Sequence, residues 1–345
     1  MKELKRIKEV DIYEPLFDLV STNDLIVFRT YENLIAISAN SYEKEWIIEI
    51  AGSDRMGIDF VFKTKENYFL IFSYNKSNRN YYAELYDKKG RKIWKTISSY
   101  RPDSKLSLVE KNGMIYFNGY TMDDETIGLY ALKVQSGEVK LISYLNIDSK
   151  MTILSNNDLI IAGSNAIARY NDLSGITPIM DDVYISYSTK IKDSILSLAQ
   201  SEMQGKYHVL KQDLDGNNSL AVENCGLLDL DDTDRQYMEP FAYDDNTLII
   251  FNGKQKGISC YSLSEKKIQW SSGQNLWTCL DVVSIDEKLV VHAEDKEDEA
   301  LILVYDLNGK CIQRLETDIY PEIIHSLENF VFVSSYDGLE IFEFA

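Results

Sequence analysis

The chain has 345 residues, 45% hydrophobic and 26% charged, with 23 tyrosines and only 5 prolines. That composition excludes a disordered chain and suffices for one large all-β domain or two ordinary ones. The formal net charge of −19, from 55 acidic against 36 basic residues, disfavours a nucleic-acid backbone or an anionic membrane as partner and is compatible with a basic protein.

The first fifteen residues, MKELKRIKEVDIYEP, carry positive charge but no apolar stretch of the kind a secretory signal needs. No uninterrupted apolar run approaches the length of a membrane span, so a cytoplasmic protein is expected. Lys2–Glu9 reads as a strand. Leu4, Ile7 and Val10, spaced by three, leave a short helix as the alternative.

From Asn23 onward one pattern recurs: a polar turn followed by an apolar run. It appears as ND-LIVF at 23, EN-YFLIF at 66, KN-GMIYF at 111, NN-DLIIA at 156, KD-SILSL at 192, DD-NTLIIF at 244, SI-DEKLVV at 284 and LE-NFVFV at 327. Seven intervals separate the eight copies, at about 43 residues each, the period of a four-stranded propeller blade. The clearest copy is Asp286–Glu316, which predicts strands over Lys288–Ala293, Ala300–Asp306 and Lys310–Leu315. Its turn, Asp306-Leu307-Asn308-Gly309, places Asn-Gly where a tight hairpin needs positive φ.

Ahead of each copy lies a further, inner strand: Leu16–Val20, Ile58–Phe62, Lys105–Val109, Met151–Leu154, Val183–Tyr187, Met238–Tyr243, Trp277–Val283 and Glu322–Ser326. The last repeat ends at Gly338–Ala345, its third strand. Because RIKEVDIYEPLF from Arg6 parallels RLETDIYPEII from Arg314, the N-terminal segment corresponds to the missing outer strand and can close a ring. The expected fold is therefore an all-β, closed β-propeller of four-stranded antiparallel blades, one domain over residues 1–345. Eight blades are preferred. Seven is the rival count, which would fail in the weak copies between Thr152 and Glu223.

Tyr86–Trp94, YDKKGRKIW, resembles the blade repeat of the PQQ-like and WD40-like β-propeller superfamily. Only Trp94 and Trp270 keep the outer-strand tryptophan, and only Gly90, Gly137, Gly175, Gly216 and Gly309 keep the turn glycine. The resemblance implies an architecture, and architecture carries no function with it. Quinoprotein dehydrogenases of this class carry adjacent cysteines and a calcium site. Outer-membrane assembly propellers carry an N-terminal lipidated cysteine. Neither signature occurs in this sequence, so no cofactor is expected.

Chemical motifs are sparse. Cys225, Cys260, Cys279 and Cys311 are widely spaced and read as buried free thiols in a reducing compartment. The three histidines, His208, His292 and His325, form no metal-ligand pattern and read as strand residues. His325 stands out because inner strands line the central channel. Asp213–Asn218 faintly resembles a calcium loop, but its glycine falls at position four rather than six, and a hairpin is preferred. The acidic run Asp229–Asp234 reads as a solvated loop. No catalytic residue and no metal ligand is singled out.

The rim offers more. The loops from outer to inner strand, and from second to third strand, carry Arg55, Tyr74, Arg79, Tyr100, Arg101, Tyr120, Arg235, Tyr237, Trp277 and Tyr320. Arginine, tyrosine and tryptophan are the side chains most enriched at interface hot spots. The leading expectation is a non-catalytic propeller that recognises a protein partner, a basic one on grounds of charge, as an inhibitor, immunity protein or scaffold would. The alternative is a carbohydrate hydrolase or lyase with a site in the central channel, which needs two carboxylates, or one carboxylate and His325, converging there.

Overall fold

The computed structural model describes residues 3–345 except 12–15, 17, 31, 51–55, 76–79, 99, 104, 122–126, 146–148, 156–157, 164–165, 181–184, 192–193, 201–205, 214–221, 230–239, 254, 296–299, 317–320, 328–329 and 336–337. The described residues form eight antiparallel sheets, and no α-helix occurs among them. Two compact units hold four sheets each: Glu14–Asp182, and Met1–Tyr13 together with Val183–Ala345. Eight sheets rule out the seven-blade count, and the weak fourth and fifth repeats each form a full blade of four strands.

In seven of the eight sheets the strands run inner, second, third and outer in chain order; in the eighth the outer position is taken by the first strand of the chain. The repeat Asp286–Glu316 is observed as Lys288–Asp295, Ala300–Asp306 and Cys311–Glu316, preceded by the inner strand Leu276–Ile285. Its middle strands are apolar on both faces because a blade lies against each face. The outer strands are half-solvated edges: Lys44–Glu49 alternates exposed and half-buried residues. The core lies between consecutive blades. In the first unit, Val20, Val27, Leu34 and Ala36 of one blade meet Val61, Phe69, Ile71 and Tyr86 of the next. In the second unit, Val290, Ile302 and Val304 meet Val331, Val333, Phe342 and Phe344. Side chains of this kind contribute roughly 1.5–3 kcal/mol each on burial.

The N-terminal strand runs from Leu4 to Asp11, two residues later than expected, and pairs with Gly338–Phe344 from Leu4 opposite Phe344 to Asp11 opposite Gly338. It supplies the fourth strand of the last blade. A bulge between Arg6 and Lys8 leaves Ile7 43% exposed while Leu4 and Val10 are buried, which explains why the three residues mimic a helical spacing.

Three local expectations differ from the structure. The inner strand expected at Lys105–Val109 is split into Tyr100–Pro102 and Val109–Lys111 by a single 3-10 turn at Lys105–Ser107. Pro102 ends the first piece, and a proline has no N–H with which to continue a ladder. Of the inner strand expected at Met238–Tyr243, residues 238–239 lie outside the described residues, and the described part forms a strand over Phe241–Ala242. At Asp306–Gly309 only Gly309 adopts positive φ, +80°. Asn308 does not, because Asp306 Oδ1 accepts the Asn308 and Lys310 amides and holds the turn from outside. The proposed hairpin across Asp213–Asn218 lies almost wholly outside the described residues. The strands that flank it, Lys206–Asp213 and Val222–Asp229, do pair antiparallel.

Candidate binding site

Four of the ten rim residues lie in the unit Glu14–Asp182 and are described there: Tyr74, Tyr100, Arg101 and Tyr120. All four sit on strands, at the ends that lead into the expected loops. Trp277 belongs to the other unit, on the strand Leu276–Ile285, and is 43% exposed. Arg55, Arg79, Arg235, Tyr237 and Tyr320 lie outside the described residues.

The structure sets Arg101 against the Asp59 carboxylate, Tyr120 against Arg101, and Tyr74 against Tyr81. Arg101 stands opposite Tyr120 in the ladder, where a glycine at 119 lets the two strands approach: a Cβ there would fall 2.2 Å from the Arg101 carbonyl oxygen. The guanidinium Nη1 donates to Tyr120 Oη at 2.8 Å. Its Nε lies 3.5 Å from Asp59 Oδ2, an ion pair without hydrogen-bond alignment. The Arg101 Cζ is 5.7 Å from the Tyr81 ring centroid and 5.8 Å from that of Tyr120, within cation–π range of both. Tyr81 in turn packs on its cross-strand partner Tyr74, centroids 4.7 Å apart. Tyr100 turns elsewhere: its ring lies 4.3 Å from Tyr130 in the core.

Asp59 and Tyr81 escaped the sequence reading. Asp59 occupies an inner strand between Ile58 and Phe60, where a buried position reads as apolar. A bulge between Ile58 and Phe60 removes it from the ladder and re-aims its side chain. Tyr81 sits in NYYAELY and looks like any strand tyrosine; no local signal marks it.

The electrostatics follow from burial. Burial lifts the Asp59 carboxyl above its ordinary range, opposed by the Arg101 charge and then by that of Arg29. Burial also pushes Tyr81 up to about 12, with Asp59 adding to the effect. For Arg101 burial disfavours the charge, yet Asp59, Tyr81 and Tyr120 outweigh it and hold the guanidinium above its ordinary value. The result is a fixed cation with aromatic walls.

Deeper along the inner strands, Asp18 ties three blades together. It accepts the Val61 amide at 3.1 Å and pairs with Lys105, whose Nζ also reaches the Leu19 carbonyl at 3.2 Å. On the blade body Glu84, 1% exposed, forms ion pairs with Lys92 and Lys95 and accepts from the Tyr86 hydroxyl. The Asp18 contacts join neighbouring blades, while the Glu84 contacts lie within a single blade. The cysteines carry no disulfide: Cys225, Cys260 and Cys279 are buried and Cys311 is partly so. Among the described residues no group of three or more His, Cys, Asp or Glu side chains could hold a metal ion.

Known structures share the whole architecture. BamB from Moraxella catarrhalis matches at a TM-score of 0.69 and 12% identity, covering 99% of this chain and 100% of that one. The Dos1 propeller matches at 0.67 and 11%, covering 99% and 96%, and the WD40 domain of SCAP from fission yeast at 0.61 and 8%, covering 99% and 98%. The chain is an eight-bladed β-propeller. No family description matches its sequence, and no curated protein matches it. At these identities the likeness is one of fold, as the degenerate blade repeat implied. The N-terminal strand of the propeller belongs to its eighth blade, and the Arg101 cluster is built by its second and third blades.

Proposed function

We propose that this propeller is a non-catalytic protein-binding module whose loop-side strand ends around Arg101 contact the partner. One observation carries the reading: Arg101 is held between Tyr81 and Tyr120 with its side chain still 35% exposed. An arginine fixed in advance by aromatic neighbours loses little conformational freedom on binding, which is what makes arginine and tyrosine recurrent hot spots. The net charge of −19 supports a partner of opposite sign, since complementary fields raise association rates.

The test is affinity capture from lysate of the native host, comparing wild type with an Arg101→Ala, Tyr120→Ala double variant of unchanged thermal stability. A stoichiometric basic partner, retained by wild type, weakened at least tenfold in the variant and eluted by moderate salt, is expected. A partner captured equally by both proteins would remove the Arg101 cluster from the interface. The absence of any stoichiometric partner would overturn the reading.

A further inference from the structure

The outer strand of a blade is a sheet edge, and an edge offers N–H and C=O groups to any strand that reaches it. Lys92–Ser98 is such an edge: it pairs with Asn80–Tyr86 and, among the described residues, with no other strand. A bulge at Ile93 interrupts the pairing once, and from Trp94 to Ser98 the register is regular. Lysines commonly guard an edge by standing in its path. Here both are drawn back onto the blade. Lys92 and Lys95 lie 2.6 and 2.9 Å from the Glu84 carboxylate, and the Lys95 ammonium sits 4.2 Å from the Tyr82 ring centroid. The strand presents instead Ile93, 47% exposed, and Ile97, 63% exposed, at alternate positions on either side of Lys95.

The other outer strands differ. Leu4–Asp11, Lys44–Glu49, Val222–Asp229 and Cys311–Glu316 carry carboxylates, and Gly175–Met180 carries Pro178. Val139–Tyr144 and Lys267–Gly273 each expose one large apolar side chain, Tyr144 and Ile268. The charge beside Lys92–Ser98 is also distinctive. Lys88 pairs with Asp24 and Arg91 with Asp87, while Lys92 and Lys95 share Glu84. Lys89 pairs with no carboxylate among the described residues. Five cations thus meet three carboxylates, in a chain whose net charge is −19.

We infer that the outer edge of the second blade is a strand-addition site that takes an extended, acidic segment of a protein partner. Such a segment, laid beside Lys92–Ser98, extends the sheet through main-chain hydrogen bonds. Because side chains alternate, it sets apolar residues against Ile93 and Ile97 and a carboxylate between them, opposite Lys95. Glu84 already serves two lysines, so a second carboxylate there completes the pairing. The edge is a second surface, separate from the Arg101 cluster.

The probes are acetyl-Thr-Val-Thr-Glu-Thr-Val-Thr-amide, the same peptide with Lys for Glu, and the Glu peptide N-methylated at every backbone nitrogen. Binding is read from amide hydrogen exchange by mass spectrometry. The Glu peptide is expected to slow exchange in Lys92–Ser98 severalfold and to bind at least tenfold more tightly than the Lys peptide. The methylated peptide, which has no backbone donor, should give no protection. Ile97→Lys, at an exposed position that leaves the fold intact, should abolish binding, and Lys89→Glu should reduce the Glu preference severalfold. Equal protection by the Glu and Lys peptides, protection by the methylated peptide, protection spread over other outer strands, or none at all would each overturn the inference. A dimer that forms as concentration rises and is lost in Ile97→Lys, seen by sedimentation, would give the edge to a second copy and overturn the acidic segment. The Arg101→Ala, Tyr120→Ala protein should bind the Glu peptide as wild type does, so failure of the loop-side reading leaves this one standing. Loss of binding in that variant would overturn the assignment to this edge.

Discussion

The indole of Trp94 lies on Gly137. Trp94 lies on the outer strand of the second blade, Gly137 closes a turn of the third, and the ring Nε1 donates to the Val134 carbonyl at 2.8 Å. A Cβ built on Gly137 would fall 2.8 Å from the ring, and its φ of +70° is one that side chains resist. The same device recurs where Trp270 meets Gly309 and donates to the Leu307 carbonyl. Tryptophan and glycine are thus two halves of a blade-to-blade clasp.

Gly137→Ala is therefore expected to destabilise the unit Glu14–Asp182 by about 2–4 kcal/mol, the sum of backbone strain and a displaced ring. Trp94→Phe should cost about 1 kcal/mol or more through the lost hydrogen bond. If the clasp is a unit, Gly137→Ala will cost less in the Trp94→Phe background, by about 0.5 kcal/mol or more. Urea unfolding of the four proteins of this cycle measures the coupling. Strict additivity would show that the glycine serves its turn alone.

The clasp also marks what the sequence displays and what it hides. The repeat period, the strands of each blade and the closing role of the N-terminal segment were readable because each depends on local pattern. Trp94 and Gly137 were readable as separate signposts, but their contact joins neighbouring repeats, and nothing local to either says so. The binding cluster divides in the same way. Tyr74, Arg101 and Tyr120 announce themselves by residue type near expected loops. Asp59 depends on a bulge between Ile58 and Phe60 that shifts the register by one residue, and single-residue register shifts leave no compositional trace.

The closing strand offers a second prediction. Leu4 is fully buried among Val290, Ile302, Val331 and Phe344, and its backbone is gripped at both groups by Gln313: the Leu4 amide donates to Gln313 Oε1 at 2.8 Å, and Nε2 donates back to the Leu4 carbonyl at 2.7 Å. Leu4→Ala should cost about 2–4 kcal/mol. Gln313→Ala should cost about 1–2 kcal/mol and, more tellingly, should accelerate amide hydrogen exchange along Leu4–Asp11 before the rest of the chain responds. Uniform acceleration throughout the unit would mean that the strand does not open on its own.

The last prediction concerns His292. It lies on the strand Lys288–Asp295 with no exposed surface, and neither ring nitrogen has a hydrogen-bond partner among the described residues. Its cross-strand neighbours are Ile302 and Asp281, and Asp281 Oδ1 already accepts the Val282 amide at 2.8 Å. Burial pushes the imidazole down to about 3. In the unfolded chain it titrates near 6.5. Between those values the unfolded state binds a proton that the folded state refuses, so stability contributed by this residue falls as pH falls. The slope is about 1.4 kcal/mol per pH unit below 6.5, or roughly 2 kcal/mol lost by pH 5. Replacing His292 by Leu removes the two unpartnered nitrogens. The variant should match or exceed wild-type stability at pH 7, and its advantage should widen by about 2 kcal/mol at pH 5. Urea midpoints at the two pH values decide it: a difference between the proteins that stays constant with pH would mean that the folded imidazole accepts a proton at its ordinary pKa, and that an acceptor reaches it.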